Sequence, residues 1–331
     1  MPWEPLAEYL AGLVGCTSTL EDRAEFDAWV SSQGLYPYAA DAIASGGLEG
    51  SGAGKLTALW LYMEKLFPGC LPGAAQSRGD CVSHSSRTAA VCTMCAEIIA
   101  GRPDEVTGEI EDKPEMPVEG YKDVICSSEA VYWYRRHNGD GWHCGASAKV
   151  ICEESGLWPR KNYEEFGFDL TKYNGRLAGK WGSPVPPDNI TAHGRKHLMR
   201  TATRCTTWEQ VRDLLANGFA LTTCGGEGWS SSRDENGVSR RQGGWAHALA
   251  VLGADDRDII KQKYGEPLVM VQNSWNKWNG GGRRVLGTDI DIPEGAFWSK
   301  WSDFKNREMI AFSGFNGWPA QKLPNWVGDI F

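Results

Sequence analysis

Three short stretches bring together the residue types that acyl transfer requires. Gln76-Ser77-Arg78-Gly79-Asp80-Cys81 leads into a run of small and helix-compatible residues, which sets a thiol at a helix N-terminus. Unpaired amides and the helix dipole at that end favour a thiolate. Gly244-Trp245-Ala246-His247 opens an apolar run to Leu252, so a strand carries the imidazole. Val271-Gln272-Asn273-Ser274-Trp275 delivers a side-chain amide and an indole at the end of another apolar run. A thiol needs a base to react near neutral pH, and the base needs a third group to fix its ring. Adjacent strands set His247 and Asn273 side by side, with Cys81 facing them across a cleft, an arrangement that serves acyl transfer. Each stretch alone has a blander reading: an inert helical cysteine, a structural strand histidine, a turn asparagine. The combination, in the order Cys, His, Asn, is what carries chemistry.

The elements that must position these groups fall in two groups, helices first and strands later, which predicts an α+β fold with two lobes. Residues 1 to about 68 read as helical. Leu6, Leu10 and Leu13 recur at helical spacing, and Ser18 with Glu21 makes a capping box ahead of Phe26, Trp29 and Val30. Leu56, Leu59, Trp60, Met63 and Leu66 fall on one face of a helix from Lys55 to Phe67. Further helices are expected from Cys81 to Ala100, from Gly145 to Gly156 and from Thr207 to Ala216. Phe219 to Cys224, Ala246 to Leu252 and Leu268 to Gln272 read as strands. The acidic, proline-bearing stretch 102–123 reads as a surface insertion, and 159–204 as polar loop. The expected division is a helical N-terminal extension over 1–70, a helical lobe carrying the nucleophile over 71–165, and a β-rich lobe carrying His247 and Asn273 over 166–331.

Composition excludes several classes. The chain has 331 residues, enough for about two domains, and 41% apolar with 23% charged residues is an ordinary globular mix. A formal charge of −8 gives no general electrostatic reason to bind nucleic acid or an anionic membrane. No run approaches the roughly 18 apolar residues that span a bilayer. Leu13-Val14-Gly15-Cys16 looks like a lipoprotein cleavage box, but Glu4 and Glu8 stand where a secretory signal wants basic residues, so an ordinary helix is expected and no compartment is assigned. Gly52-Ala53-Gly54-Lys55-Leu56-Thr57 fails as a phosphate loop, with Glu49 in the place of its first glycine and Leu56 where Mg²⁺ needs a hydroxyl. No cofactor is called for. Cys92, Cys95 and His84, completed by Cys126 or Cys144, offer a zinc set, but buried thiols or a disulfide are the expected reading. His143-Cys144 is rejected as a rival catalytic pair because adjacent residues on an extended segment point to opposite sides. His193, Arg195, Lys196, His197, Arg200 and Arg204 read as a solvated basic face.

Taken in order, these residues resemble the papain-like cysteine peptidases. That family shows a Gln, a Gly-x-Cys helix start, a strand beginning x-His-Ala, and Asn-Ser-Trp. Here stand Gln76, Gly79-Asp80-Cys81, Ala246-His247-Ala248 and Asn273-Ser274-Trp275. Ser128-Glu129-Ala130-Val131 looks like the family's Ser-Glu-x-x-Leu helix, and Asn138-Gly139-Asp140-Gly141-Trp142 like its cleft-lining Asn-Gly-Gly-aromatic segment. The resemblance covers about residues 74 to 318. It implies a papain-like two-lobe fold preceded by a small helical domain, and hydrolysis of peptide or related amide bonds through a thioester. It further implies Cys81 as nucleophile, His247 as its proton partner, Asn273 as orienter and Trp275 as a shield over that bond. Gln76, with the Cys81 N–H, would hold the oxyanion. Gly141 and Trp142, with Trp275, would meet an extended peptide or protein substrate. Departures are also visible. Gln76 stands one residue closer to the cysteine than is usual, Arg78 replaces a customary disulfide cysteine, and Val82 replaces a Trp. Two other readings follow from these: a catalytically inactive papain-fold component docked to a larger assembly through residues 1–70, and an amidase acting on cell-wall peptides. Family prosegments are often helical, but the extension carries no prosegment motif, so a permanent domain is expected over a removable inhibitor.

Overall fold

The computed structural model describes residues 15–102 and 122–323. The helix expected around Leu6, Leu10 and Leu13 and most of the 102–123 insertion lie outside the described residues. The fold is α+β with two halves, a helical half built on the long helix that Cys81 begins and an antiparallel sheet, and N-terminal helices precede both.

Helix α1 (Leu20–Ser32) starts one residue later than the capping box predicted. Thr19 caps it and Asp22 answers, with Thr19 N–H donating to Asp22 Oδ2 at 2.7 Å and Asp22 N–H to Thr19 Oγ1 at 3.1 Å. Ser18 is drawn away instead, its hydroxyl donating to Glu308 Oε2 at 2.5 Å. Helix α2 (Ala39–Gly46) follows. The helix expected from Lys55 to Phe67 is split: Leu56–Ala58 forms strand β1, and helix α3 occupies only Trp60–Leu66. A long-range ladder overrides the local helical pattern, because Leu56, Thr57 and Ala58 pair with Asp255, Ala254 and Gly253.

Helix α4 (Cys81–Ile99) is the spine of the helical half, with every side chain from Cys81 to Glu97 buried. Its serines and alanines let neighbours approach closely, as where Ser85 Oγ meets Thr222 Oγ1 at 2.5 Å. Around it lie α5 (Ser128–Tyr132) and α6 (Cys144–Glu153). Beyond them come α7 (Gly175–Lys180) and α8 (Asp188–Gly194). The stretch 159–204 is not plain polar loop. Trp158, Tyr163, Leu170, Trp181 and Ile190 form a small second core with Ala130. His193 joins it with its ring 4.4 Å from that of Trp158, and His193 and His197 are both pushed down to about 4, chiefly by burial. The basic cluster is therefore only partly solvated, and Arg204 forks onto Asp27 of α1.

The sheet runs β6-β5-β4-β3-β7-β2, with β1 added on β4, where β2 is Thr201–Cys205, β3 Leu221–Arg233, β4 Ser239–Asp255, β5 Leu268–Gln272, β6 Ala296–Lys300 and β7 Glu308–Ser313. All pairings are antiparallel. Helix α9 (Trp208–Ala216) leads into β3 behind a Thr207–Gln210 capping box. Strands β3 and β4 run further than their apolar cores predicted, because a long polar hairpin continues the ladder beyond the hydrophobic face. A disulfide between Cys144 of α6 and Cys224 of β3 clamps the two halves together. It removes Cys144 both as a zinc ligand and as a rival nucleophile. Among the described residues no helix is long and apolar enough to cross a membrane, and no group of three His, Cys, Asp or Glu side chains is set to hold a metal ion.

Candidate active site

Cys81 is the first residue of α4, so its backbone N–H belongs to the helix end that has no intrahelical acceptor. Its sulfur is fully buried and accepts a hydrogen bond from the Ala248 N–H at 3.4 Å. That contact brings the head of the helix against the strand residue that follows His247. His247 sits where the β3–β4 ladder changes character: pairing is regular from Gly225–His247 inward and shifts register beyond it. The alternation of a strand then puts Trp245 and His247 on one face and Ala248 on the other.

The imidazole is fixed from two sides. Its Nε2 lies 2.8 Å from Asn273 Oδ1 at the end of β5. An amide oxygen only accepts, so Nε2 carries the proton and Nδ1 is the basic nitrogen. Trp275 lies over the ring with centroids 4.7 Å apart, and Trp245 and Trp278 continue the indole wall behind it. Beneath, Arg307 donates to the His247 carbonyl at 2.6 Å and to Thr223 and Glu227 with its remaining N–H groups. No motif marked Arg307; its role comes from where β7 begins in space. Burial pushes the Cys81 thiol well up and the His247 ring down to about 3, the latter helped by the nearby Arg307 charge. In this form both groups are neutral, and among the described residues no hydrogen bond joins them.

Gln76 is buried. Its Oε1 accepts from the Ser274 hydroxyl and its backbone N–H donates to Ser274 O at 2.8 Å. One of its two side-chain N–H bonds goes to Arg78 O at 2.8 Å. Arg78, which stands where the resembling family has a disulfide cysteine, instead forms an ion pair with Asp140 through Nη2 at 2.6 Å. An ion pair thus ties the 76–79 loop to the 138–142 segment. Gly141 has φ of 90°, in the left-handed region. Its N–H is committed to Gly79 O and the Tyr132 hydroxyl. The backbone edge that is paired lies one residue further on, at Trp142.

What meets that edge is the chain's own segment Gly15–Thr17. Trp142 N–H donates to Gly15 O at 3.1 Å and Trp142 O accepts from Thr17 N–H at 2.8 Å, while Ala246 O accepts from both Gly15 and Cys16. The strap passes so close over the thiol that a Cβ on Gly15 would lie 2.4 Å from Cys81 Sγ. The sequence marked Gly15-Cys16 only as part of an apparent cleavage box. Its place against the thiol needs the partner backbone at 142 and 246, which is why it was not legible locally.

Burial of His247 makes the folded form pH-sensitive. Its value near 3 lies below its ordinary 6.5, so its contribution to the folded form is full above pH 6.5 and is lost as pH falls toward 3. Asp22 acts in the same sense. Burial opposes it, but the Thr19 bonds and His143 hold its carboxyl below the usual value. Glu308, raised by burial, acts the other way. We expect hydrogen-exchange protection of the Gly15, Cys16 and Thr17 amides, corrected for intrinsic rates, to fall between pH 6.5 and 4.5. Constant or rising protection over that range would contradict this balance.

No protein-family model and no curated protein matches the chain by sequence. Among solved structures it is similar to xylellain, a cysteine protease from Xylella fastidiosa, at 17% identity and a TM-score of 0.45, over 78% of this chain and 85% of that one. It is similar to the cysteine protease and lectin-like domains of Cwp84, a surface layer associated protein of Clostridium difficile, at 14% identity and a TM-score of 0.37, over 74% of this chain and 49% of that one. It is also similar to the ragweed pollen allergen Amb a 11, a cysteine protease in its proform, at 10% identity and a TM-score of 0.37, over 82% and 67%.

Proposed function

We propose that the chain is a cysteine-dependent peptidase or amide hydrolase, held latent by its own Gly15–Thr17 strap. The observation that carries this reading is the convergence of a helix-capped thiol with a strand whose histidine is oriented by an amide. Cys81 Sγ contacts Ala248 N–H, and His247 Nε2 is 2.8 Å from Asn273 Oδ1.

With the strap displaced, water and substrate reach the sulfur. The His247 Nδ1 takes the Cys81 proton, and the thiolate attacks the carbonyl carbon of a peptide bond. The C–S bond forms as the carbonyl pair moves onto oxygen. That oxyanion is met by the Cys81 N–H and the free side-chain N–H of Gln76. The pair returns, the C–N bond breaks, and the amine leaves with the proton from His247. Water, deprotonated by the same imidazole, then hydrolyses the thioester and restores the thiol. Asn273 holds the ring tautomer throughout, and Trp275 keeps water from that hydrogen bond. The Trp142 backbone and Ala246 O, which now hold the strap, would hold an extended peptide in its place. That occupancy supports a covering role for the N-terminal segment over docking to a larger assembly.

The test uses the Gly15→Val variant of the 331-residue chain with a peptide ester and intact-mass detection. The expected result is a burst of product, and a mass increase equal to the acyl group that maps to Cys81. Product formation without any acylated protein, or acylation elsewhere, would overturn the thioester route.

A further inference from the structure

We propose that Tyr173 is a positioning residue for the oxyanion-binding side of this site, tying the 76–79 loop to the acid that precedes the nucleophile. The inference rests on the reading of Cys81 as nucleophile. The Tyr173 hydroxyl donates to Asp80 Oδ2 at 2.8 Å, accepts from the Ser77 N–H at 3.1 Å, and lies 3.4 Å from Ser77 Oγ. One phenol thus joins the residue next to Gln76 with the residue next to Cys81, and those two neighbours carry the donors proposed for the oxyanion.

Asp80 explains why a hydroxyl is needed here. Its side chain is fully buried, its Oδ1 has no hydrogen-bond partner, and its Oδ2 is 3.6 Å from His84 Nε2. A buried carboxylate short of donors is costly, so the Tyr173 proton is held firmly on it. Burial raises the phenol well above its ordinary value, so it remains a donor across the working pH range.

The Tyr173 segment is anchored independently of the loop it braces. The next residue, Asn174, donates its N–H to Glu129 Oε1 at 2.8 Å, and Glu129 is buried in an ion pair with Arg160 at 3.2 Å. The Asn174 side chain also caps α7 at Leu177 N. Gly175 then presses on the loop: a Cβ there would lie 1.9 Å from Ser77 Oγ and 2.8 Å from the Tyr173 hydroxyl. Only a glycine lets this bracket close. The 76–79 loop is therefore held between a rigid support on one side and Ser274 on the other.

An oxyanion donor removed outright costs on the order of 10²–10³ in rate, and a displaced one costs part of that. In the Gly15→Val background, adding Tyr173→Phe is expected to lower kcat about tenfold with KM nearly unchanged. A peptide aldehyde, whose carbonyl becomes an oxyanion as the sulfur adds to it, should bind about tenfold more weakly. The matching peptide alcohol, which forms no oxyanion, should bind as before. Gly175→Ala, which keeps the hydroxyl but pushes Ser77 away, should reproduce the same selective loss. Unchanged kcat and aldehyde affinity in both variants would overturn the proposal, and so would equal weakening of aldehyde and alcohol. If the Gly15→Val parent neither hydrolyses peptides nor binds the aldehyde, the nucleophile assignment fails first and takes this inference with it.

Discussion

Cys81→Ala, made in the Gly15→Val chain, is expected to lower peptide hydrolysis by on the order of 10⁶, the scale seen when an acyl-transfer nucleophile is removed. In the proposed mechanism the thiol supplies the bond-forming electron pair. Among the other free cysteines of the described residues, Cys16 belongs to the strap. Cys144 and Cys224 are consumed in the disulfide. The replacement is smaller and apolar at a fully buried position, so the fold should survive it. Residual turnover above about 1% of the parent would mean that another group performs the attack.

Gly15→Val is expected to raise the alkylation rate of Cys81 about 100-fold over the unaltered chain. A branched side chain at residue 15 starts with a Cβ 2.4 Å from Cys81 Sγ and 3.1 Å from Ala246 O, inside contact distance of both. The strap cannot keep its four backbone hydrogen bonds to Trp142 and Ala246 while relieving that overlap. At about 0.5–1.5 kcal/mol for each net bond, losing most of them moves the closed–open equilibrium by roughly 3 kcal/mol, hence the factor of about 100. Alkylation of Cys152, on the far end of α6, should not change. An unaltered Cys81 rate would show that the strap does not gate the thiol.

How much of this was legible in the sequence follows from how local each signal is. Cys81 at a helix start, and His247 and Asn273 at strand ends, are read from periodicity and turn residues within a few positions; the imidazole lies 2.8 Å from the Asn273 amide oxygen, and the sulfur meets the Ala248 N–H. The α+β order of elements was readable for the same reason. The split of Lys55–Phe67 into a strand and a helix was not, because its cause is a ladder to residues 253–255. Arg307 carries no motif, since its function is to reach the His247 carbonyl 60 residues away in sequence. The Cys144–Cys224 bridge was hidden because cysteine spacing alone does not determine pairing. The strap was the largest omission. Glycine at 15 has meaning only when the sulfur beneath it is known.

Competitive labelling of the native Gly15→Val chain with limiting iodoacetamide, followed by peptide mapping across pH 5 to 9, tests the account at its centre. A thiolate at a helix head beside an available imidazole predicts that Cys81 takes nearly all the label, and does so well below the ordinary thiol pKa. Label spread over the free cysteines in proportion to their exposure, with Cys81 reacting only near its ordinary pKa, would contradict the assignment of a nucleophile and leave the fold without this chemistry.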